Sequence, residues 1–301
     1  MLTPLVLSRR QNLDLSPLST ESLSDEDINH LYLNCPPADG VGSHSGPIRI
    51  AHDVVAKGDM SGLYGGESCE LEMRAANFVR EHTTILTPRW QRLVKFTDGV
   101  DDRTIILRRY IPGRTLAQCW STLGFWMQFR IALTMRFYIR QLRSLTSSVP
   151  GPLGVKPQKC WGHHFIEGGE GPFSTYAELS EYYAARLEST RRRAEAMKKP
   201  PPDLTPFDNS TPLVMTHHDL NERNIILGDD NQLWIIDWQH AGYYPEWFEY
   251  SALMIWFGQY FPDEGRPDLR RFVNLMAGRY EKPGQRPFYQ TIYPILMLGI
   301  R

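Results

Sequence analysis

Leu213-Val214-Met215-Thr216-His217-His218-Asp219-Leu220-Asn221-Glu222-Arg223-Asn224-Ile225-Ile226-Leu227-Gly228-Asp229-Asp230-Asn231-Gln232-Leu233-Trp234-Ile235-Ile236-Asp237-Trp238 carries more of this chain's chemistry than any other stretch. Ile225 to Leu227 and Leu233 to Ile236 are apolar, β-branched-rich runs flanking Gly228-Asp229-Asp230-Asn231. That pattern predicts an antiparallel hairpin, with Asp229 and Asp230 as turn residues. With the turn centred near Asp230, residues whose numbers sum to about 460 face each other. Asn224 and Asp237 then meet at the open end. An amide oxygen beside a carboxylate is a hard-cation site and suits Mg²⁺ better than zinc.

Asp219 lies five residues before Asn224, on the loop leading into the hairpin. From there it can address a hydroxyl while the metal holds a phosphoryl group. The phosphoryl-transfer pattern has this order: an Asp that receives or orients the nucleophile's proton, an Asn that binds metal, and a later Asp that binds metal bridging the phosphates. It also needs a strand lysine, for the α- and β-phosphates, paired to a helix glutamate. Lys57 ends Val54-Val55-Ala56, and Glu72 lies on the next helix, where Glu67 and Glu70 compete with it. ATP and Mg²⁺ are the cofactors this set calls for. His217 reads as a packing or hydrogen-bonding residue.

Outward from these residues, the first third reads as strands with one helix, after an N-terminal arm and its capped helix start. Residues 1–23 are a Ser/Pro/Leu-rich arm, and a helix starts at Ser24 with a capping-box signature. Ile48–Ile50 and Val54–Lys57 form a hairpin, followed by a Gly-rich loop from Gly58 to Gly66 and a helix from Ser68 to His82. Strands follow near Leu93–Phe96 and Thr104–Arg108. Tyr110-Ile111-Pro112-Gly113-Arg114-Thr115 breaks both periodicities, so the boundary is placed at 110–115, with 24–109 before it and 116–301 after it. Beyond the boundary helical patterns dominate to about Lys198, with a Gly-rich interruption at 151–173. The Phe125–Leu145 segment is interrupted by Arg130, Arg136, Arg140 and Arg143, so it is an amphipathic helix and not a membrane span. Its apolar face is Ile131, Met135, Tyr138, Leu142 and Leu145. Arg191-Arg192-Arg193 reads as a solvated helix face.

The 301 residues carry 33 Lys+Arg against 34 Asp+Glu. This balance argues against nucleic-acid or membrane-surface partners, which call for a basic excess. Cys35, Cys69, Cys119 and Cys160 lie far apart, without a zinc or disulfide pattern, and a reducing, cytoplasmic setting is expected. The N-terminus lacks the layout of a secretion signal.

Thr216-His217-His218-Asp219-Leu220-Asn221-Glu222-Arg223-Asn224-Ile225-Ile226 resembles the catalytic loop of the aminoglycoside phosphotransferase and choline kinase group. Ile235-Ile236-Asp237-Trp238-Gln239-His240-Ala241-Gly242 resembles its metal-binding strand end and the turn after it. Tyr110 to Leu116 looks like its interlobe hinge, Val79–Thr83 through Thr87–Arg89 like the helix end and loop after the helix glutamate, and Tyr243–Tyr250 like a fungal-type branch. The resemblance covers about residues 45 to 265. It implies a bilobal, protein-kinase-like α+β fold, with a small N-lobe of antiparallel sheet plus helix and a larger, mostly helical C-lobe carrying the acceptor site. It also implies an ATP-dependent phosphotransferase acting on a hydroxyl of a small molecule. In that reading Asp219, Lys57 and Glu72 are catalytic, Glu72 being preferred on the family's spacing. Asn224 and Asp237 hold Mg²⁺, and Lys57, Tyr110 and Ile111 meet the nucleotide.

Three departures stand out. His218 occupies a position where the family commonly has glycine. No G-x-G-x-x-G covers the phosphates, the candidates being the Gly40–Gly46 turn and the Ile50–Val54 tip. Asp237 is followed by Trp238 where protein kinases have Phe-Gly, and no Ala-Pro-Glu follows. A different class of protein, a pseudokinase or a metabolite-converting relative that reuses the same cleft, is the alternative. For the acceptor, polycationic compounds need clustered carboxylates, of which Glu246, Glu249, Asp263 and Glu264 are available. They are interleaved with Trp247, Phe248, Tyr250, Trp256, Phe257, Tyr260 and Phe261, which read as helical core or as aromatic walls for an apolar alcohol or a quaternary amine.

Overall fold

The computed structural model describes residues 19–36, 47–59, 68–97, 102–154, 156–162, 164–165, 169–196, 198, 205–258, 269–280, 282 and 285. Most of the N-terminal arm, the Gly40–Gly46 turn, most of the Gly58–Gly66 loop, Asp263 and Glu264 lie outside them. The class is α+β, as expected, and the chain forms two compact units. One comprises Thr3–Cys119 with Arg223–Gln239, the other Trp120–Glu222 with His240–Arg301.

In the first unit, α1 (Asp25–Asn34) is closed by the expected capping box: Ser24 Oγ accepts from the Asp27 N–H, and the Asp27 carboxylate accepts from the Ser24 N–H. Strands β1 (Ile48–Ala51), β2 (Val54–Gly58), β3 (Trp90–Thr97) and β4 (Asp102–Arg109) make an antiparallel sheet in the order β1-β2-β4-β3. Side chains alternate between its faces. One face buries Ile48, Ile50, Val54, Ala56, Val94, Ile105 and Leu107 with Ile28 of α1. By the same alternation and the β2–β4 register, Val55, Lys57, Ile106 and Arg108 share the other face. The helix α2 (Ser68–His82) packs against β3 and β4. Its buried positions include Cys69, Glu72, Ala75, Ala76 and Val79, so a carboxylate sits in the middle of an otherwise small and apolar stripe.

The same unit holds a second sheet, built from β5 (Gly113–Thr115) just before the short α3 (Leu116–Cys119), and from β9 (Ile225–Gly228) and β10 (Leu233–Ile235). The β9–β10 register, Leu227↔Leu233, Ile226↔Trp234 and Ile225↔Ile235, is the one read from the turn. Gly113 has φ +149, and a Cβ there would stand 2.4 Å from the Leu227 carbonyl oxygen, so only glycine lets β5 approach β9 this closely. Contacts therefore divide the chain differently from a linear cut at 110–115. The β5–β9 ladder, the Ile235 N–H bond to the Leu86 carbonyl and the Asp229 N–H bond to the Pro112 carbonyl tie 223–239 to the N-terminal strands.

In the second unit, α4 (Phe125–Arg143) buries Ile131, Met135, Tyr138 and Leu142 on one face, as its periodicity predicts; Leu145 falls beyond the helix. The interruption in the helical pattern opens on one short strand. Strands β6 (Thr146–Ser147), β7 (Gly151–Pro152), β8 (Leu213–Thr216) and β11 (Gly242–Pro245) form an antiparallel sheet in the order β6-β8-β11-β7. Helices α5 (Tyr176–Ala196), α6 (Phe248–Gly258) and α7 (Val273–Ala277) complete the unit. Its core gathers Phe165, Phe173, Tyr183, Tyr244, Trp247 and Phe248. The Arg191–Arg193 run is a solvated face, where Arg191 and Arg192 pair with Glu188. No described helix is long and apolar enough to cross a membrane.

Candidate active site

The first unit carries a buried charge cluster. Strand β2 delivers Lys57 and the buried stripe of α2 delivers Glu72, so sheet and helix packing alone bring them together. Lys57 Nζ donates to Glu72 Oε2 at 2.7 Å, to Asp237 Oδ1 at 2.8 Å and to Gln239 Oε1 at 3.3 Å. Of the competing glutamates, Glu70 instead pairs with Lys95 and Arg74 near the surface, and Glu67 lies outside the described residues. Burial opposes the charge on Lys57, but the Asp237 and Glu72 carboxylates outweigh it and hold the ammonium well above its usual range. Burial pushes the Glu72 carboxyl up against the pull of Lys57, and the Asp237 charge adds to that push. A further cation, Arg108, is 7% exposed; burial lowers it while Glu72 and Asp237 support it.

Asn224 and Asp237 stand at the same end of the β9–β10 hairpin, where the Ile236 N–H donates to the Asn224 carbonyl. Asp237 has φ +65, a left-handed conformation that Asp adopts more readily than most residues. Its Oδ1 takes the Lys57 ammonium, and its Oδ2 makes no hydrogen bond among the described residues. No group of three or more His, Cys, Asp or Glu side chains suited to a metal occurs among the described residues. A carboxylate and a side-chain amide at one hairpin end are the residue types that could hold Mg²⁺, an ion that keeps several waters and takes the rest of its shell from phosphates.

Asp219 belongs to the second unit and is 8% exposed. Its Oδ1 accepts from Trp256 Nε1 of α6 at 2.7 Å and from Asn221 Nδ2 at 3.0 Å. The loop before it is anchored by Glu249, at the start of α6. Glu249 Oε2 accepts the backbone N–H of His217 at 2.6 Å, and Oε1 that of His218 at 3.2 Å. Burial pushes the Glu249 carboxyl up to about 7, against the downward pull of those two N–H groups. His218 has φ +67, a backbone that glycine takes at no cost. The imidazole that replaces glycine here is stacked on His164, with Nε2 at 2.5 Å from His164 Nδ1, and His164 Nε2 lies 2.8 Å from Ser251 Oγ.

Lys57, Glu72 and Asp237 meet directly, and Asn224 shares the hairpin end with Asp237. Tyr110 and Ile111 lie on the segment leading into β5. The Tyr110 N–H is taken by the Asp53 carbonyl, its ring lies under the Arg49 guanidinium at 3.8 Å, and Ile111 is buried. At the Ile50–Val54 tip, the Asp53 carboxylate accepts hydrogen bonds from the Ser19 N–H and hydroxyl. Two carboxylates considered for a polycation are occupied otherwise: Glu249 anchors the loop, and Glu246 pairs with Arg143 and Tyr280. Trp247, Phe248 and Tyr250 are core. Missed from sequence are Arg108 and His164, the loop-anchoring role of Glu249 and the hydrogen bond from Trp256 to Asp219.

The fold is that of the kinase-like phosphotransferases. Residues 172–281 match the family model described as phosphotransferase enzyme family, in agreement with the resemblance carried by the catalytic-loop residues. Among solved structures, the chain is similar to the GDP complex of wild-type aminoglycoside 2′-phosphotransferase-IIIa, with TM-score 0.53 and 13% identity over 84% of this chain and 80% of that one. It is also similar to the gentamicin–APH(2″)-IIa complex, with TM-score 0.50 and 13% identity over 92% of this chain and 87% of that one. At these identities the likeness concerns the fold. No curated protein sequence matches the chain.

Proposed function

We propose that this protein transfers the γ-phosphoryl group of ATP, bound with Mg²⁺, to a hydroxyl of a small metabolite. The observation that carries this reading is the Lys57 ammonium held between the Glu72 and Asp237 carboxylates at 2.7 and 2.8 Å. Lys57, oriented by Glu72, balances phosphate charge. Asp237 and Asn224 hold the metal, which supplies further neutralisation of the phosphates. Asp219 orients the acceptor hydroxyl and takes its proton as the oxygen bonds to γ-phosphorus and the bond to ADP breaks. Asp219 and Asn224 are five positions apart, so one short loop carries both roles.

A hydroxyl presented to Asp219 lies beside the indole of Trp256, which supports an acceptor with an apolar or aromatic face. The occupied state of Glu246 and Glu249 argues against a polycation. Cys35, Cys69, Cys119 and Cys160 form no disulfide with one another, and the setting proposed with this function is cytoplasmic. Phosphorus NMR of Mg-ATP with a panel of alcohols tests the proposal. The wild type is expected to form a phosphate ester with at least one of them, and Asp219→Asn to slow that transfer on the order of 100- to 10,000-fold while still binding nucleotide. Transfer by Asp219→Asn at the wild-type rate contradicts the assignment.

A further inference from the structure

Arg108 and Trp90, neighbours across the β3–β4 ladder of the first unit, are both buried residues, and one of them carries a buried donor without an acceptor among the described residues. Arg108 is 7% exposed and makes no hydrogen bond or close ion pair with a described residue. Trp90, its partner across the β3–β4 ladder, is 5% exposed, and its indole N–H has no acceptor. The β2–β4 register sets Val55 opposite Arg108 and Lys57 opposite Ile106, so Arg108 is a diagonal neighbour of Lys57 on the same face. Lys57, by contrast, has three N–H groups and three acceptors, in Glu72, Asp237 and Gln239. Arg108 is therefore the cation of this cluster that keeps donors unspent. A guanidinium stays charged and offers five donors in a planar fork. Its charge is supported by Glu72 and Asp237, and its unspent donors are available to a ligand that brings acceptors.

We propose that Arg108 binds an oxygen of the nucleotide, making it a ligand-binding residue in addition to Lys57, Asn224 and Asp237. The inference rests on the nucleotide reading above. Two parts of a nucleotide offer this chemistry. Phosphate oxygens accept the fork bidentately. A guanine edge presents O6 and N7 as paired acceptors, whereas adenine sets its N6 amino donor beside N7.

Isothermal titration calorimetry of the full chain with ATP, GTP and inorganic triphosphate, each with Mg²⁺, tests this in the wild type, Arg108→Lys and Arg108→Met. Lysine keeps the charge that balances Glu72 and Asp237 but loses the fork, so it guards against a variant that merely misfolds. Arg108→Lys is expected to weaken at least one probe on the order of tenfold, with the ligand-free melting temperature unchanged. Equal weakening for all three probes assigns the phosphates; weakening of GTP alone assigns the purine carbonyl. Wild-type affinity of Arg108→Lys for every probe overturns the inference and leaves the nucleotide reading standing, as does an Arg108→Met variant that melts earlier yet binds all three unchanged. A wild type that binds none of the probes overturns both.

Discussion

Lys57 is the residue on which the charge cluster turns, since two carboxylates, one of them 2% exposed, lean on a single ammonium. Its replacement by Met leaves Glu72 and Asp237 facing each other without it, and breaking a buried ion pair in this way costs about 3–5 kcal/mol. Lys57→Met is expected to lose stability of that order in urea unfolding and to abolish any Mg-nucleotide effect on melting. Wild-type stability in that variant would show that the pairs at 2.7 and 2.8 Å contribute little. The choice of Glu72 over Glu70 was within reach of the sequence. Positions 72, 75, 76 and 79 repeat at helical spacing, and a carboxylate inside an otherwise buried stripe needs a buried partner. Arg108 could have been found the same way, because period-2 alternation from Ile106 places it on the face of Lys57.

At the scale of elements, the loop 217–219 is shaped by helix α6 more than by its own sequence. Glu249 accepts both loop N–H groups from the helix start, and Trp256, two turns on, donates to Asp219. The buried Glu249 carboxyl is raised from 4.5 to about 7, so the folded state holds its proton where the unfolded chain has released it. This contribution is full below about pH 4.5 and is lost as the pH rises through 7. Stability of the wild type relative to Glu249→Gln is expected to fall by roughly 3 kcal/mol over that interval. Denaturant titrations at about pH 5 and pH 8 check the sign, and a difference that is flat or rises with pH contradicts it. Gly162 supports the same loop. It has φ +105, and a Cβ there would stand 2.9 Å from His218 Nδ1. Gly162→Ala is expected to lower stability by about 1–3 kcal/mol, read from the shift in melting temperature. None of these couplings was legible, because no local period links His164 to His218 or Glu249 to His217 across more than 30 residues of chain. The hairpin register was legible because its turn and both apolar runs lie within one short segment. Strands β6 and β7, at two residues each, are too short to leave a periodic signal.

At the scale of the whole molecule, the chain crosses from one compact unit to the other within the loop that joins Asp219 to Asn224, between Glu222 and Arg223, and returns after Gln239. The hairpin that carries Asn224 and Asp237 is consequently stitched to the N-terminal sheets by β5, while Asp219 stays with α6. A linear reading places both in the later part of the chain, because sequence order shows where a segment sits and not which sheet it completes. The residues proposed to bind nucleotide and metal therefore share one compact unit, and ligand occupancy there is expected to stabilise it by linkage, about 2.7 kcal/mol at a ligand concentration one hundred times Kd. The most direct test of the central claim is a thermal-shift titration of the wild type and Asp237→Asn with ATP, with and without Mg²⁺. The account predicts a rise in melting temperature that depends on Mg²⁺ in the wild type and is reduced or lost in Asp237→Asn. No rise at millimolar ATP, or the same Mg-dependent rise in both proteins, would contradict it.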